Sequence, residues 1–240
     1  MLEPWRQGKV IRIQDETPNT RRFWIEITGT ERFDFRPGQF VTLDLPISEQ
    51  KSKRLRSYSI ASSPDGTNII ELVIVRLDGG PGTEFLFNQV DTGTELTLRG
   101  PLGVFQLPEP LDKDLFLICT GTGIAPFRSM IRHIAAHNLP HRKIYLIFGC
   151  RYRKDALYSE EMRRFEETLP RFRYIPVYSR EEPGPLRTGY VHSVYEEILE
   201  REKPDALFYL CGWKEMIAEA KQRIQALGYD KKTIHQELYG

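Results

Sequence analysis

The chain has 240 residues, 40% of them hydrophobic and 28% charged, and its acidic and basic side chains nearly cancel at a net charge of +1. That is an ordinary globular composition, long enough for one large domain or two of about 100–150 residues, and the charge balance gives no basis for a nucleic-acid partner. No run approaches about 18 apolar residues and Met1–Val10 lacks an apolar core, so neither a membrane span nor a signal peptide is expected.

From the amino terminus, short strands are expected at Lys9–Ile13, Arg22–Ile27, Gln39–Leu45, Leu55–Ala61, Ile69–Arg76 and Glu95–Arg99. Alternation is plain in Phe23-Trp24-Ile25-Glu26-Ile27 and in Thr94–Arg99. Turn chemistry intervenes at Pro37-Gly38, Pro64-Asp65-Gly66 and Gly79-Gly80-Pro81-Gly82. Strands at this spacing make a small antiparallel barrel or sandwich. A short helix, Thr83–Val90, follows the glycine cluster.

Past Pro108-Glu109-Pro110 the pattern changes. Phe116-Leu117-Ile118-Cys119 is an unbroken apolar run, as in a strand buried on both faces. The helix after it carries Phe127, Met130, Ile131 and Ile134 at i, i+3, i+4 and i+7, with Pro126 in its first turn. Strands at Lys143–Phe148, Tyr174–Tyr178 and Ala206–Cys211 then alternate with helices at Glu160–Thr168, Val191–Glu200 and Glu215–Leu227. Such alternation builds right-handed crossovers and a doubly wound parallel sheet. The expected organisation is an antiparallel β-barrel domain over residues 1–110 and an α/β nucleotide-binding domain over residues 111–240.

Several segments carry chemistry. Arg56-Ser57-Tyr58-Ser59 lies in a strand, where Arg56 and Tyr58 share one face and Ser57 and Ser59 the other. A guanidinium suits a pyrophosphate, an aromatic ring stacks on a flat heterocycle, and a hydroxyl bonds a ring nitrogen. The same four residues also suit a barrel strand with a surface Arg and a rim Tyr. Gly79-Gly80-Pro81-Gly82-Thr83 opens a helix, and is either a plain turn or a phosphate-binding helix start. Thr120-Gly121-Thr122-Gly123 joins a buried strand to a helix in the manner of a dinucleotide turn, without the full G-x-G-x-x-G spacing. No acidic residue ends the next strand, where an NAD site would hold a ribose hydroxyl. Instead Val177-Tyr178-Ser179-Arg180 ends a later strand, with Arg187 and Tyr190 close behind, which is either a solvated loop or a seat for a 2′-phosphate.

The three cysteines, Cys119, Cys150 and Cys211, are scattered, which argues against disulfides, zinc and iron–sulfur centres within this chain and fits a reducing, cytoplasmic location. His133 and His137 have the spacing of a metal pair but no third ligand, so no metal is expected. Lys51, Lys53, Arg54 and Arg56 form a basic run, either a solvated loop or a docking surface.

Together these motifs resemble the ferredoxin–NADP reductase family in its bacterial single-chain form, over nearly the whole chain. Arg56–Ser59 matches the family's R-x-Y-[ST] flavin motif, Gly82-Thr83 stands at its flavin-pyrophosphate turn, and Gly100-Pro101-Leu102-Gly103-Val104-Phe105 matches G-P-x-G-x-F. Gly121, Thr122, Gly123 and Pro126 match its NADP pyrophosphate turn. Arg151, Ser179 and Arg180 resemble its 2′-phosphate positions. Cys211-Gly212 matches the C-G pair beside the nicotinamide, and His235–Gly240 resembles the aromatic tail of bacterial members. Tyr190 stands near a position where several bacterial members have Arg, and is read as an adenine-stacking ring with Arg187 supplying charge.

The resemblance implies an electron-transfer enzyme that binds FAD in the barrel and NADP(H) in the α/β domain, exchanging a hydride between nicotinamide C4 and flavin N5. Ser59, Cys211 and Glu237 are then the expected catalytic residues, Tyr58 stacks on one flavin face, and Tyr239 is a candidate to cover the other. A separate acidic ferredoxin or flavodoxin is the expected partner of a monomeric enzyme, since no ferredoxin-type cysteine quartet is present. The alternative on the same fold is a flavin reductase or the reductase component of an oxygenase.

Overall fold

The alternating run at residues 20–27 becomes β2 (Thr20–Ile27), with Phe23, Ile25 and Ile27 fully buried, in a computed structural model that describes residues 3–182 and 184–238. It pairs antiparallel with β1 (Trp5–Thr17) on one side and β5 (Ile69–Val75) on the other. With β3 (Phe40–Asp44), β4 (Leu55–Ser59) and β6 (Glu95–Leu102) they form one sheet in the order β4-β3-β6-β1-β2-β5. Its outer strands meet through the antiparallel bridge Ile60–Leu72 and the 2.8 Å bond from Ala61 N–H to the Glu71 carbonyl, so the sheet closes as a barrel. Closure removes exposed edges and leaves a single interior for Val10, Val41, Leu43, Leu72 and Leu98. Two short helices decorate it: α1 (Lys51–Arg54), which the sequence pattern does not announce, and α2 (Pro81–Asn88).

The second sheet is wholly parallel. It comprises β7 (Asp114–Thr120), β8 (Ile144–Cys150), β9 (Phe172–Tyr178), β10 (Ala206–Gly212) and β11 (Ile234–Leu238), in the order β11-β10-β7-β8-β9. The helices are α3 (Ile124–Ala136), α4 (Ser159–Thr168), α5 (Val191–Glu202) and α6 (Lys214–Ala226). Residues of α5 and α6 pack on Phe116, Ile118, Ile147, Phe208 and Leu210 of one sheet face. Pro176 is tolerated because β9 is an edge strand. The chain leaves β7 first toward β9 and later toward β11, so the strand order reverses between β7 and β10. In open α/β sheets that reversal makes a crevice at the carboxyl ends of the strands, where ligands bind. No described helix is long and apolar enough to cross a membrane.

Two compact units result: the chain up to Leu107 together with Ala125–His133, and Pro108–Ile124 together with the chain from Ile134 onward. Within the first, Arg128 is only 3% exposed and donates through Nη1 to Glu71 Oε2 at 2.9 Å and to the Ala61 carbonyl at 2.7 Å. Arg22 Nε meets the other oxygen of Glu71 at 2.6 Å. The network therefore reaches the backbone two residues past Ser59, just beyond the end of β4.

Candidate active site

In the first unit, pairing with β3 sets Arg56 opposite Leu43, Tyr58 opposite Val41 and Ser59 opposite Phe40. Tyr58 leans on the barrel core, and burial pushes its phenol up to about 12 while the Arg56 charge pulls it down, so the ring carries a neutral hydroxyl at ordinary pH. Ser57 is exposed and bonded to Thr42 through the two hydroxyls at 3.0 Å, whereas Ser59 is 3% exposed. The two serines thus differ in exposure despite their i, i+2 spacing, because Ser59 lies next to the bridge that closes the barrel.

Arg56 and the glycine turn, 26 positions apart in sequence, come together. The guanidinium donates from Nη1 to the carbonyls of Lys53 (3.0 Å) and Leu55 (2.8 Å), which fixes its course. A Cβ at Gly82 would lie 3.0 Å from Arg56 Nε and 3.1 Å from its Cγ, so any side chain here would push the Arg56 side chain back by a few tenths of an ångström, and glycine lets it lie close. Gly82 is in the first turn of α2, where backbone N–H groups lack intrahelical partners. A cation laid across such a helix start is a fit for one phosphate group of a dinucleotide. Thr83 serves the turn itself: its hydroxyl lies 3.0 Å from the Leu77 N–H, which donates to it, and 3.1 Å from the Leu77 and Gly80 carbonyls.

In the second unit, Gly121–Gly123 form a single tight turn that runs directly into α3, whose third residue, the buried Pro126, already belongs to the first unit. Gly121 has φ +52° and open space around it, while a Cβ on Gly123 would collide with the Cys211 carbonyl oxygen. One glycine lets the chain turn and the other lets β7 and β10 close up. Thr120 Oγ1 accepts the Trp213 N–H at 3.3 Å, tying the ends of those two strands together.

The carboxyl ends of β8 and β9 continue side by side. Ser179 N–H donates to the Cys150 carbonyl and Arg180 N–H to the Arg151 carbonyl, both at 2.9 Å. Arg151 and Arg180 are exposed and neither forms an ion pair among the described residues. The nearby acid Glu181 is occupied, accepting the Arg153 N–H at 2.7 Å. Arg187 is less free, paired with Glu197 at 3.0 Å. Tyr190 precedes α5 and is 72% exposed. Two unpaired guanidiniums, a serine and an open aromatic ring suit a phosphorylated adenosine.

Cys211 and Glu237 are register partners on β10 and β11, so two of the expected catalytic residues stand on adjacent strands. Cys211 is fully buried, as is Cys119 beside it, whose thiol is pushed up by burial. None of the three cysteines is in a disulfide among the described residues. Among the described residues no cluster of His, Cys, Asp or Glu could hold a metal. Tyr239 lies outside the described residues. The Arg128–Glu71 network was not singled out in the sequence, although a charge inside Ile69-Ile70-Glu71-Leu72-Val73 is a signal for a buried pair.

Known proteins resemble this chain in sequence and fold. Residues 7–107 match the family model described as an oxidoreductase FAD-binding domain, and residues 117–222 the one described as an oxidoreductase NAD-binding domain. The chain is 31% identical over 245 residues to a ferredoxin–NADP reductase B of Sorangium cellulosum, covering 99% of this chain and 98% of that protein. It is 30% identical over 246 residues to a glycine betaine monooxygenase reductase subunit of Pseudomonas aeruginosa, but spans only 66% of that protein's length. The crystal structure of an Amycolatopsis cytochrome P450 reductase matches with a TM-score of 0.85 at 27% identity, over 98% of this chain and 70% of that one.

Proposed function

The chain belongs to the ferredoxin–NADP reductase family, as an oxidoreductase that binds FAD and a nicotinamide dinucleotide, and we propose that it passes electrons between NADP(H) and a one-electron carrier protein, ferredoxin or flavodoxin. The observation that carries this reading is Arg56 lying across Gly82 at the start of α2, a phosphate seat assembled from two sequence-distant motifs. FAD would supply two-electron exchange with the nicotinamide and one-electron exchange with the carrier. The flavin domain runs to about residue 110 and the nucleotide domain beyond it.

Each residue has a task. Arg56 and the backbone of Gly82 and Thr83 hold the flavin pyrophosphate, the Tyr58 ring stacks, and Ser59 offers a buried hydroxyl to the flavin ring. The turn at Gly121, Thr122 and Gly123, with Pro126 starting the helix, takes the NADP pyrophosphate. Arg151, Ser179 and Arg180 grip the 2′-phosphate, with Arg187 as a secondary charge and Tyr190 against adenine. Cys211 and Glu237 line the nicotinamide end. Three cysteines outside any disulfide fit a reducing cytoplasm. A second reading, the reductase of an oxygenase system, is favoured by the 30% identity to a monooxygenase reductase subunit.

The purified protein is expected to be yellow, with non-covalent FAD released by acid and identified by chromatography. Arg56→Ala should retain the fold by circular dichroism and bind FAD more weakly. Full occupancy by FMN, with no uptake of FAD on reconstitution, would sink the pyrophosphate assignment.

Carrier docking is read from α1. Lys51 and Lys53 are exposed and form no ion pair among the described residues, whereas Arg54 Nε lies 2.6 Å from Asp44. Reduction of an acidic ferredoxin should therefore slow as salt rises, because exposed charges are screened beyond about 8–10 Å at physiological ionic strength. Lys51→Glu/Lys53→Glu should slow carrier reduction while NADPH oxidation by a small dye stays unchanged. If both rates fall together, the basic run serves folding or flavin binding instead.

A further inference from the structure

Two aromatic side chains stand in solvent at the carboxyl ends of the parallel strands: Tyr190 before α5, and Trp213, 59% exposed, between β10 and α6. The backbone of Trp213 is fixed, since its N–H is bonded to Thr120, the residue that leads into the glycine turn. Leu238, 51% exposed, stands at the same corner of the sheet, in register with Gly212 on the neighbouring strand. An indole gains most from burial, yet more than half of this one has no partner within its own unit. The other two tryptophans each have a guanidinium over the ring, Arg99 over Trp5, which stays 43% exposed, and both Arg12 and Arg22 over Trp24.

The sheet order says what would cover it. From β9 to β10 is three strand steps, roughly 14 Å at about 4.8 Å per step. A dinucleotide with its phosphorylated adenosine at the ends of β8 and β9, and its pyrophosphate at the turn after β7, runs on toward β10. Its remaining half then lies beside Cys211, Glu237 and Trp213. On the dinucleotide reading given above, we propose that Trp213 is a binding residue for the ribose–nicotinamide half, its indole packing on that half as Tyr190 does on the adenosine half. Because the two coenzymes share this half, Trp213 serves NADPH and NADH alike.

The FAD-loaded enzyme tests this through tryptophan emission. Titration with NADP+ should quench emission in the wild type, and Trp213→Phe should lose that component while Trp5 and Trp24 still emit. Adenosine 2′,5′-bisphosphate, which lacks the nicotinamide half, should bind by calorimetry without the quench. In turnover, Trp213→Ala should raise KM for both coenzymes by about 3- to 10-fold. An equal quench by adenosine 2′,5′-bisphosphate would put the indole on the wrong half, and a quench unchanged in Trp213→Phe would remove it from the site; either overturns the proposal and leaves the dinucleotide reading standing. If neither ligand binds by calorimetry, the dinucleotide reading falls and the proposal with it.

Discussion

Replacing Arg180 by alanine should lower kcat/KM for NADPH about 10- to 150-fold and leave that for NADH near the wild-type value, since a hydrogen bond to a charged group is worth roughly 1.5–3 kcal/mol. The backbone of Arg180 is anchored on Arg151 at the strand ends, and its exposed guanidinium forms no ion pair among the described residues. Arg187, which already spends its charge on Glu197, should cost less when removed. The effect should shrink at high salt, because the site is exposed. Equal losses for both coenzymes, or a wild type that prefers NADH, would show that this loop does not bind a 2′-phosphate.

The second large effect is on stability. Glu71→Ala should destabilise the first unit by about 3–5 kcal/mol, the range for breaking a buried ion pair, because it leaves Arg128 buried without its carboxylate. Arg22, bonded to the other oxygen of the same carboxylate, loses that bond and keeps its pairing with Glu16 at 3.3 Å. Denaturation followed by emission isolates the change, since Trp5 and Trp24 lie in the first unit and Trp213 in the second. The double variant Glu71→Leu/Arg128→Met should lose less than the two single variants together, as neighbours in one network are not additive. A loss in Glu71→Ala below about 1 kcal/mol, the scale of an exposed pair, would mean that water reaches the network in solution.

Much of the architecture was legible because burial writes itself into periodicity. The alternation at residues 23–27 and the unbroken apolar run at 116–119 were enough to place an antiparallel barrel before a parallel α/β sheet, and the structure has both. The family was legible for a different reason. Close backbone approach demands glycine at Gly123 and close approach of the Arg56 side chain favours it at Gly82, so those positions stand out even in a single sequence. Elements without a buried stripe were not legible. Strand β11, Ile234-His235-Gln236-Glu237-Leu238, is an edge strand with exposed side chains, made a strand by its pairing with β10. The short α1 has no buried residue at all.

Composition, periodicity and glycine spacing thus determined the order of the elements and the kind of ligand each turn suits, since these depend on local geometry and on which faces meet water. Only the tertiary structure decided which of those residues meet. Arg56 reaches Gly82 because barrel closure brings the start of β4 to α2, and that same start of α2 commits the Thr83 hydroxyl to its own turn. Arg128 reaches Glu71 because Ala125–His133 joins the first unit, although its neighbours in sequence belong to the second. Arg187 is claimed by Glu197 while Arg180 is left open. A charged side chain's partner depends on long-range packing, which no local pattern encodes.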